Sequence, residues 1–277
     1  MRCHYLSDLH LETQDFHGTL PKGEVLIIAG DLCNARCLDP TRTDKYSIDQ
    51  RGRVQRFVDS ALVNFRHVLL VPGNHDHYDG VFEDTAALLA RDLPGVTVLD
   101  NSHADMDGVR FFGTTLWTDF EGRSDVCLES VRRRIGDFFF IKKRERDAAG
   151  KESLRKFQPR DALGAFDASM TALRACVASA GSRQLVIVSH HPPSRKGLNP
   201  RHAGNGLDGV YASDLDEEIA GWANVRHWVH GHTHIQKTYR VGETMVHANC
   251  RGFEGKDASA RSFSARHFFD LTSLRDL

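Results

Sequence analysis

Five apolar runs along this chain each end in a short polar signature, and that arrangement limits the fold more than any other feature. The runs cover residues 2–6, 24–29, 67–71, 184–189 and 225–229. After them come Asp8-Leu9-His10, Gly30-Asp31, Gly73-Asn74-His75-Asp76, His190-His191-Pro192 and Gly231-His232-Thr233-His234. Short continuous apolar runs read as strands buried on both faces. Open α/β sheets collect their ligand sites at strand ends, where these signatures fall.

The signatures are rich in carboxylate and imidazole, the groups a two-metal phosphoester-cleaving site requires. Two divalent ions about 3.5–4 Å apart can hold a bridging hydroxide and stabilise the charge of an in-line displacement at phosphorus. Asp31 is the expected bridge, because the glycine before it lets the backbone approach the ions. Asp8 and His10 are expected on the first ion, since alternate residues of an extended segment share a side. Asn74, His190 and His232 are expected on the second, with His234 returning to the first. His75, next to a ligand, suits contact with the phosphoryl oxygens or protonation of the leaving oxygen. No thiolate is needed, and the donor set suits manganese, iron, zinc or nickel, with manganese favoured for activity.

In order and in combination, these motifs make the chain resemble the calcineurin-like metallophosphoesterases over nearly its whole length, from Ser7-Asp8-Leu9-His10-Leu11-Glu12 to Asn249-Cys250-Arg251-Gly252-Phe253. It is most similar to the small bacterial and phage branch with His-His-Pro-Pro-Ser, here His190 to Ser194, and Gly-His-Thr-His. The resemblance implies a four-layer α/β/β/α sandwich of two mixed sheets with a dinuclear site at the sheet edge. It also implies that His190 rather than His191 is the ligand; the swapped assignment is the alternative, and His191 otherwise touches substrate or another ligand. The protein phosphatases of the superfamily place an aspartate where this chain has Asn34, and a glutamate where it has Asp76. Those departures favour a phosphodiesterase acting on a nucleotide-like or small phosphodiester substrate. A phosphomonoesterase or a nuclease using the same site is the alternative. A non-catalytic scaffold is disfavoured because every ligand and His75 are present.

The 277 residues suit a single domain spanning 1–277. No run approaches the roughly 20 apolar residues of a membrane span. The first strand begins almost at Met1 and leaves no room for a signal peptide, so a cytoplasmic enzyme is expected. The six cysteines contain no Cys-x-x-Cys pair and read as free thiols; Cys33 and Cys37, just after Asp31, are the two with a route to the metals. Helices are expected at 47–65, 81–92, part of 124–135, 159–180 and 213–220, the last opened by a Ser213-x-x-Asp216 capping box.

The segment at about 123–160 reads as a basic helical insertion. Arg132-Arg133-Arg134 and Lys142-Lys143-Arg144-Glu145-Arg146 flank Phe138-Phe139-Phe140, in a chain of net charge −1. A solvated helix face with core phenylalanines is the favoured reading; the alternative is a cleft rim that attracts a polyanion. Nucleic acid is therefore not the favoured partner. The loop after Ser194 follows a ligand directly, and Arg195 or Arg201 is expected to contact phosphate there, with Lys196, Asn199 and His202 alongside. His77 and Tyr78 are expected as solvated turn residues, with the cleft rim as the alternative.

Overall fold

The computed structural model describes residues 1–147, 149–201 and 204–271. Thirteen strands are present among them: β1 (Arg2–Leu6), β2 (Gly23–Ile28), β3 (Phe65–Leu70), β4 (Val96–Val98), β5 (Ser102–Met106), β6 (Val109–Thr114), β7 (Lys142–Arg146), β8 (Glu152–Lys156), β9 (Leu185–Ser189), β10 (Val225–His230), β11 (Gln236–Val241), β12 (Thr244–Asn249) and β13 (Phe268–Asp270). One sheet runs β13-β1-β2-β3-β4 and the other β11-β12-β10-β9-β6-β5. Both are mixed: β1 to β4 pair in parallel with β13 antiparallel at the edge, and β6, β9, β10 and β12 pair in parallel between antiparallel β5 and β11.

Side-chain alternation builds the layers. Cys3, Tyr5, Val25 and Ile27 meet Val186, Val188 and Val229 between the two sheets, while Leu6, Leu26 and Ile28 face outward to helices. Across the sandwich, Leu185, Ile187 and Trp228 face the opposite helical layer. The central strands are buried on both sides, and so their sequences read as unbroken apolar runs. The Lys45–Asn64 helix covers the first sheet with Val54, Phe57, Val58 and Ala61, a spacing that puts them on one stripe. It starts at Asp44, whose side chain accepts the Ser47 N–H. The Pro159–Ala180 helix covers the second sheet; Pro159 opens it and Gln158 and Asp161 close a capping box. The four-layer α/β/β/α sandwich is the architecture the resemblance implied.

Several local expectations change. The Ser213 box does not form: the short helix begins at Asp216, and Ser213 Oγ instead accepts the backbone N–H of Asp119 at 3.1 Å. Most of the described 123–160 segment is not helical. After short helices Asp125–Val131 and Asp137–Phe140 it continues as the β7–β8 hairpin, and several charges of the segment are paired. Arg144 pairs with Asp84 at 2.9 Å, Lys143 with Glu83 at 3.5 Å and Arg160 with Asp125 at 2.7 Å. Phe138 is buried, whereas Phe139 and Phe140 are exposed. No helix among the described residues is long and apolar enough to cross a membrane.

Candidate metal centre

The five signatures converge at the C-terminal ends of β1, β2, β3, β9 and β10, drawn from both sheets. The backbone there is not extended. Asp8, His10, Asp31, His232 and His234 all have φ between 48° and 71°, a left-handed region costly for residues with a side chain and concentrated at functional sites. Asp8 and His10 therefore turn to a common side through left-handed turns, not through strand alternation. Two glycines allow the close approach: a Cβ on Gly73 would lie 2.2 Å from Asp31 Oδ1, and one on Gly30 2.4 Å from His190 Nδ1.

The donor atoms fall into two groups around Asp31. In the first, His10 Nε2 and His234 Nε2 face each other at 3.2 Å, and Asp8 Oδ1 lies 3.4 Å from His234 Nε2. In the second, Asn74 Oδ1 lies 2.9 Å from His190 Nε2 and 3.1 Å from His232 Nδ1, and the two ring nitrogens are 3.3 Å apart. Asp31 Oδ2 lies between them, 3.8 Å from His10 Nε2 and 3.4 Å from His190 Nε2. Its other oxygen accepts the backbone N–H of His75 at 2.8 Å. Ring nitrogens and carboxylate oxygens aimed at one another over such distances fit a divalent cation between them.

The opposite ring nitrogens explain why the lone pairs face inward. His10 Nδ1 meets Glu12 Oε1 at 2.9 Å, His234 Nδ1 meets Asp257 Oδ2 at 2.7 Å, and His190 Nδ1 donates to Ala29 O at 2.9 Å. A donated Nδ1–H leaves Nε2 as the free electron pair, the usual support for a ligating histidine. Asp76 accepts the backbone N–H groups of Asp31, Cys33 and Gly73 at 2.7–2.9 Å and so joins two of the ligand loops.

The calcineurin-like phosphoesterase family model matches residues 1–236. The chain belongs to that family. It is a metal-dependent phosphoester hydrolase. An uncharacterized protein of Acanthamoeba polyphaga mimivirus is 21% identical over 98% of this chain and 96% of its own length. The solved phosphopantetheinyl hydrolase of Mycobacterium tuberculosis superposes with a TM-score of 0.61 at 17% identity, covering 93% of each chain, and shares the fold.

Electrostatics in this phosphoesterase divide the titratable groups sharply. Burial raises the Asp31 carboxyl, but the charges of His190 and His75 outweigh it and hold the group well below its ordinary value. Asp8 is likewise raised by burial, yet its bond to His234 brings it down to about 2. Burial lowers His190 and His234, and the surrounding carboxylates, Asp31 for His190 and Asp257 and Asp8 for His234, reverse this to about 9 and about 10. His232, facing histidines, is held well below its ordinary value by burial and by His191 and His190.

A cleft of about 330 Å³ opens over the donors. His75 lines it with its ring stacked on Tyr78 at 4.3 Å. Three residues expected as substrate contacts are not among those lining it. His191 is buried between Trp117 and His232, with Nδ1 on Thr115 O at 3.2 Å, so it packs behind a donor. Arg195 and Arg201 are exposed and do not line the cleft, although Leu198 and Asn199 between them do. Arg134 of the 123–160 segment takes that place, beside Asn199, Asn205, Tyr211 and Phe253. His77 is buried and bonded to Thr85, not solvated, while Tyr78 lines the cleft. Burial holds the Cys33 thiol well above its ordinary pKa. His202 lies outside the described residues.

Proposed function

We propose that the chain is a dinuclear metallophosphodiesterase acting as one unit, with the 123–160 segment forming a wall of the cleft. Asp8, His10, Asp31 and His234 hold one divalent ion and Asp31, Asn74, His190 and His232 the other. The observation that carries this reading is Asp31 Oδ2, a single oxygen within 4 Å of a ring nitrogen from each donor group. When bound, the ions supply Lewis acidity at the phosphoryl oxygens and activate the attacking water. The protein's own part is to fix the donors through Glu12, Asp257 and Ala29, and to set the His75 ring where the leaving oxygen gains its proton. Manganese is the ion of choice for the assay, since the mixed oxygen and imidazole set accepts it.

The diester preference rests on the shape of the cleft. It runs past the donors to Tyr211, Phe253, Asn205 and Arg134, leaving room and one cation for a second ester substituent. The phosphopantetheinyl substrate in the name of the structural neighbour is likewise a phosphoryl group carrying a bulky organic part. Hydrolysis of bis-p-nitrophenyl phosphate and p-nitrophenyl phosphate, with Mn²⁺ and with chelator, tests the reading in the wild type, Asp31→Ala and His75→Ala. Metal-dependent diester cleavage lost in both variants is expected. A dominant monoesterase activity would replace the diester reading with a phosphatase.

A further inference from the structure

We propose that Asp137 is a positioning residue for this reaction, a carboxylate carried into the site by the 123–160 segment to orient both a metal donor and the His75 ring. The inference rests on the reading of Asn74 as a ligand and His75 as the proton donor. Asp137 is buried, and among the described residues it has no Lys or Arg partner. Its Oδ1 accepts the Asn74 Nδ2–H at 2.8 Å and the Tyr78 hydroxyl at 2.7 Å. Burying a carboxylate with no cationic side chain beside it is unfavourable, so the bonds it makes are the reason for its place.

Each bond settles one orientation. An asparagine amide can face either way, and only its partners decide which atom points where. With Nδ2 bound to an acceptor that cannot donate, Asn74 must turn Oδ1 toward His190 Nε2 and His232 Nδ1, where a cation needs an oxygen. The second bond fixes Tyr78, whose ring lies 4.3 Å from that of His75 at an angle of 24°. Gly136, just before Asp137, presses the segment against the same hydroxyl: a Cβ there would sit 2.9 Å from Tyr78 Oη. One oxygen thus couples the second donor group to the catalytic ring, and a segment outside the five signatures supplies it.

Metal-to-protein ratio and Mn²⁺ affinity by competition titration, together with kcat and KM for bis-p-nitrophenyl phosphate, test the assignment in Asp137→Ala, Asp137→Asn and Tyr78→Phe. Phe139→Ala, exposed on the same short helix, is the control. Asp137→Ala is expected to weaken the second ion roughly 10- to 100-fold, lowering kcat with KM nearly unchanged. Asp137→Asn keeps an oxygen that accepts both bonds and should recover most of each loss. Tyr78→Phe should keep the metal ratio of the wild type while lowering kcat. Wild-type metal affinity and kcat in Asp137→Ala, losses equal in Asp137→Ala and Asp137→Asn, or equal losses in Phe139→Ala would overturn the proposal. If Asp137→Ala does not fold, Asp137→Asn and Tyr78→Phe decide, since near-wild-type kcat in Tyr78→Phe also overturns it. A wild-type ratio below two ions would sink the dinuclear reading separately, and the kcat comparison would still judge Asp137.

Discussion

Glu12 and His75 meet through a 3.3 Å contact between Glu12 Oε1 and His75 Nδ1. The same oxygen lies 2.9 Å from His10 Nδ1, so one carboxylate holds both the proposed donor His10 and the proposed proton donor His75. Asn34, where the protein phosphatases carry an aspartate, points its Nδ2 toward Asp79 at 3.5 Å instead. Glu12, from the first signature, is the carboxylate that contacts His75.

Charge follows from the contact. Burial lowers the His75 pKa, but Asp31 and Glu12 reverse this and raise it to about 9. Glu12→Gln removes one of the raising charges, so the pKa of His75 falls and the protonated ring is lost at lower pH. The alkaline limb of the kcat profile should move to lower pH, with kcat at its maximum down about 10- to 100-fold. Both enzymes are compared with metal bound, so any effect of the cations on His75 is common to them. A pH–rate profile whose alkaline limb does not move would contradict the coupling.

Arg134 separates the expected from the observed phosphate contact. It lines the cleft, with Nη2 donating to Asn205 O at 3.2 Å, whereas Arg195 and Arg201 do not line it. A charge-assisted hydrogen bond contributes roughly 1.5–3 kcal/mol when shielded and less for a side chain this exposed. Arg134→Ala should therefore raise KM for an anionic diester about 5-fold and leave kcat nearly unchanged. Arg195→Ala and Arg201→Ala should leave both unchanged. Steady-state kinetics on the three variants checks this, and a KM effect confined to Arg195→Ala would reverse the assignment.

Much of the fold was legible because burial on both faces leaves unbroken apolar runs: β1 falls at its expected residues, and β2, β3, β9 and β10 within two residues of theirs. The β7–β8 hairpin was not, because Lys142 to Arg146 shows no alternation and is held by cross-strand and inter-segment ion pairs, with Lys143 and Arg144 reaching Glu83 and Asp84. In the site, the donors announced themselves as histidines and aspartates after strands. Their orienting partners did not. Asp137 and Asp257 lie 63 and 23 residues from the side chains they hold, and a lone Asp carries no local mark of such a partner. The left-handed φ of Asp8 and His10 was hidden for a different reason: their i, i+2 spacing mimics a strand. Arg195, which directly follows a signature, does not line the cleft, whereas Asn199 four residues on does, so chain proximity alone does not place a side chain there.

In the proposed centre, protons and cations compete for the same nitrogens. His190 and His234 have pKa values raised to about 9 and about 10, so in the metal-free protein both rings hold protons at neutral pH. Metal binding must release those protons, and apparent affinity should strengthen as pH rises toward 9, by about tenfold per unit for each proton displaced. Stability follows the same linkage. A histidine whose folded pKa lies above its unfolded value near 6.5 contributes stability that is complete below 6.5 and lost as pH climbs through 9 to 10. The metal-free protein should thus lose that contribution above about pH 7, while the loaded protein, whose rings are already deprotonated, does not. Melting with chelator and with Mn²⁺ between about pH 6 and 9 should show a gap that widens with pH, because the loaded state gains as the free state weakens. Calorimetric titration in two buffers of different ionisation enthalpy should show proton release on binding. A gap that stays constant with pH, or binding without proton release, would mean that these rings are not the ones the cations displace protons from.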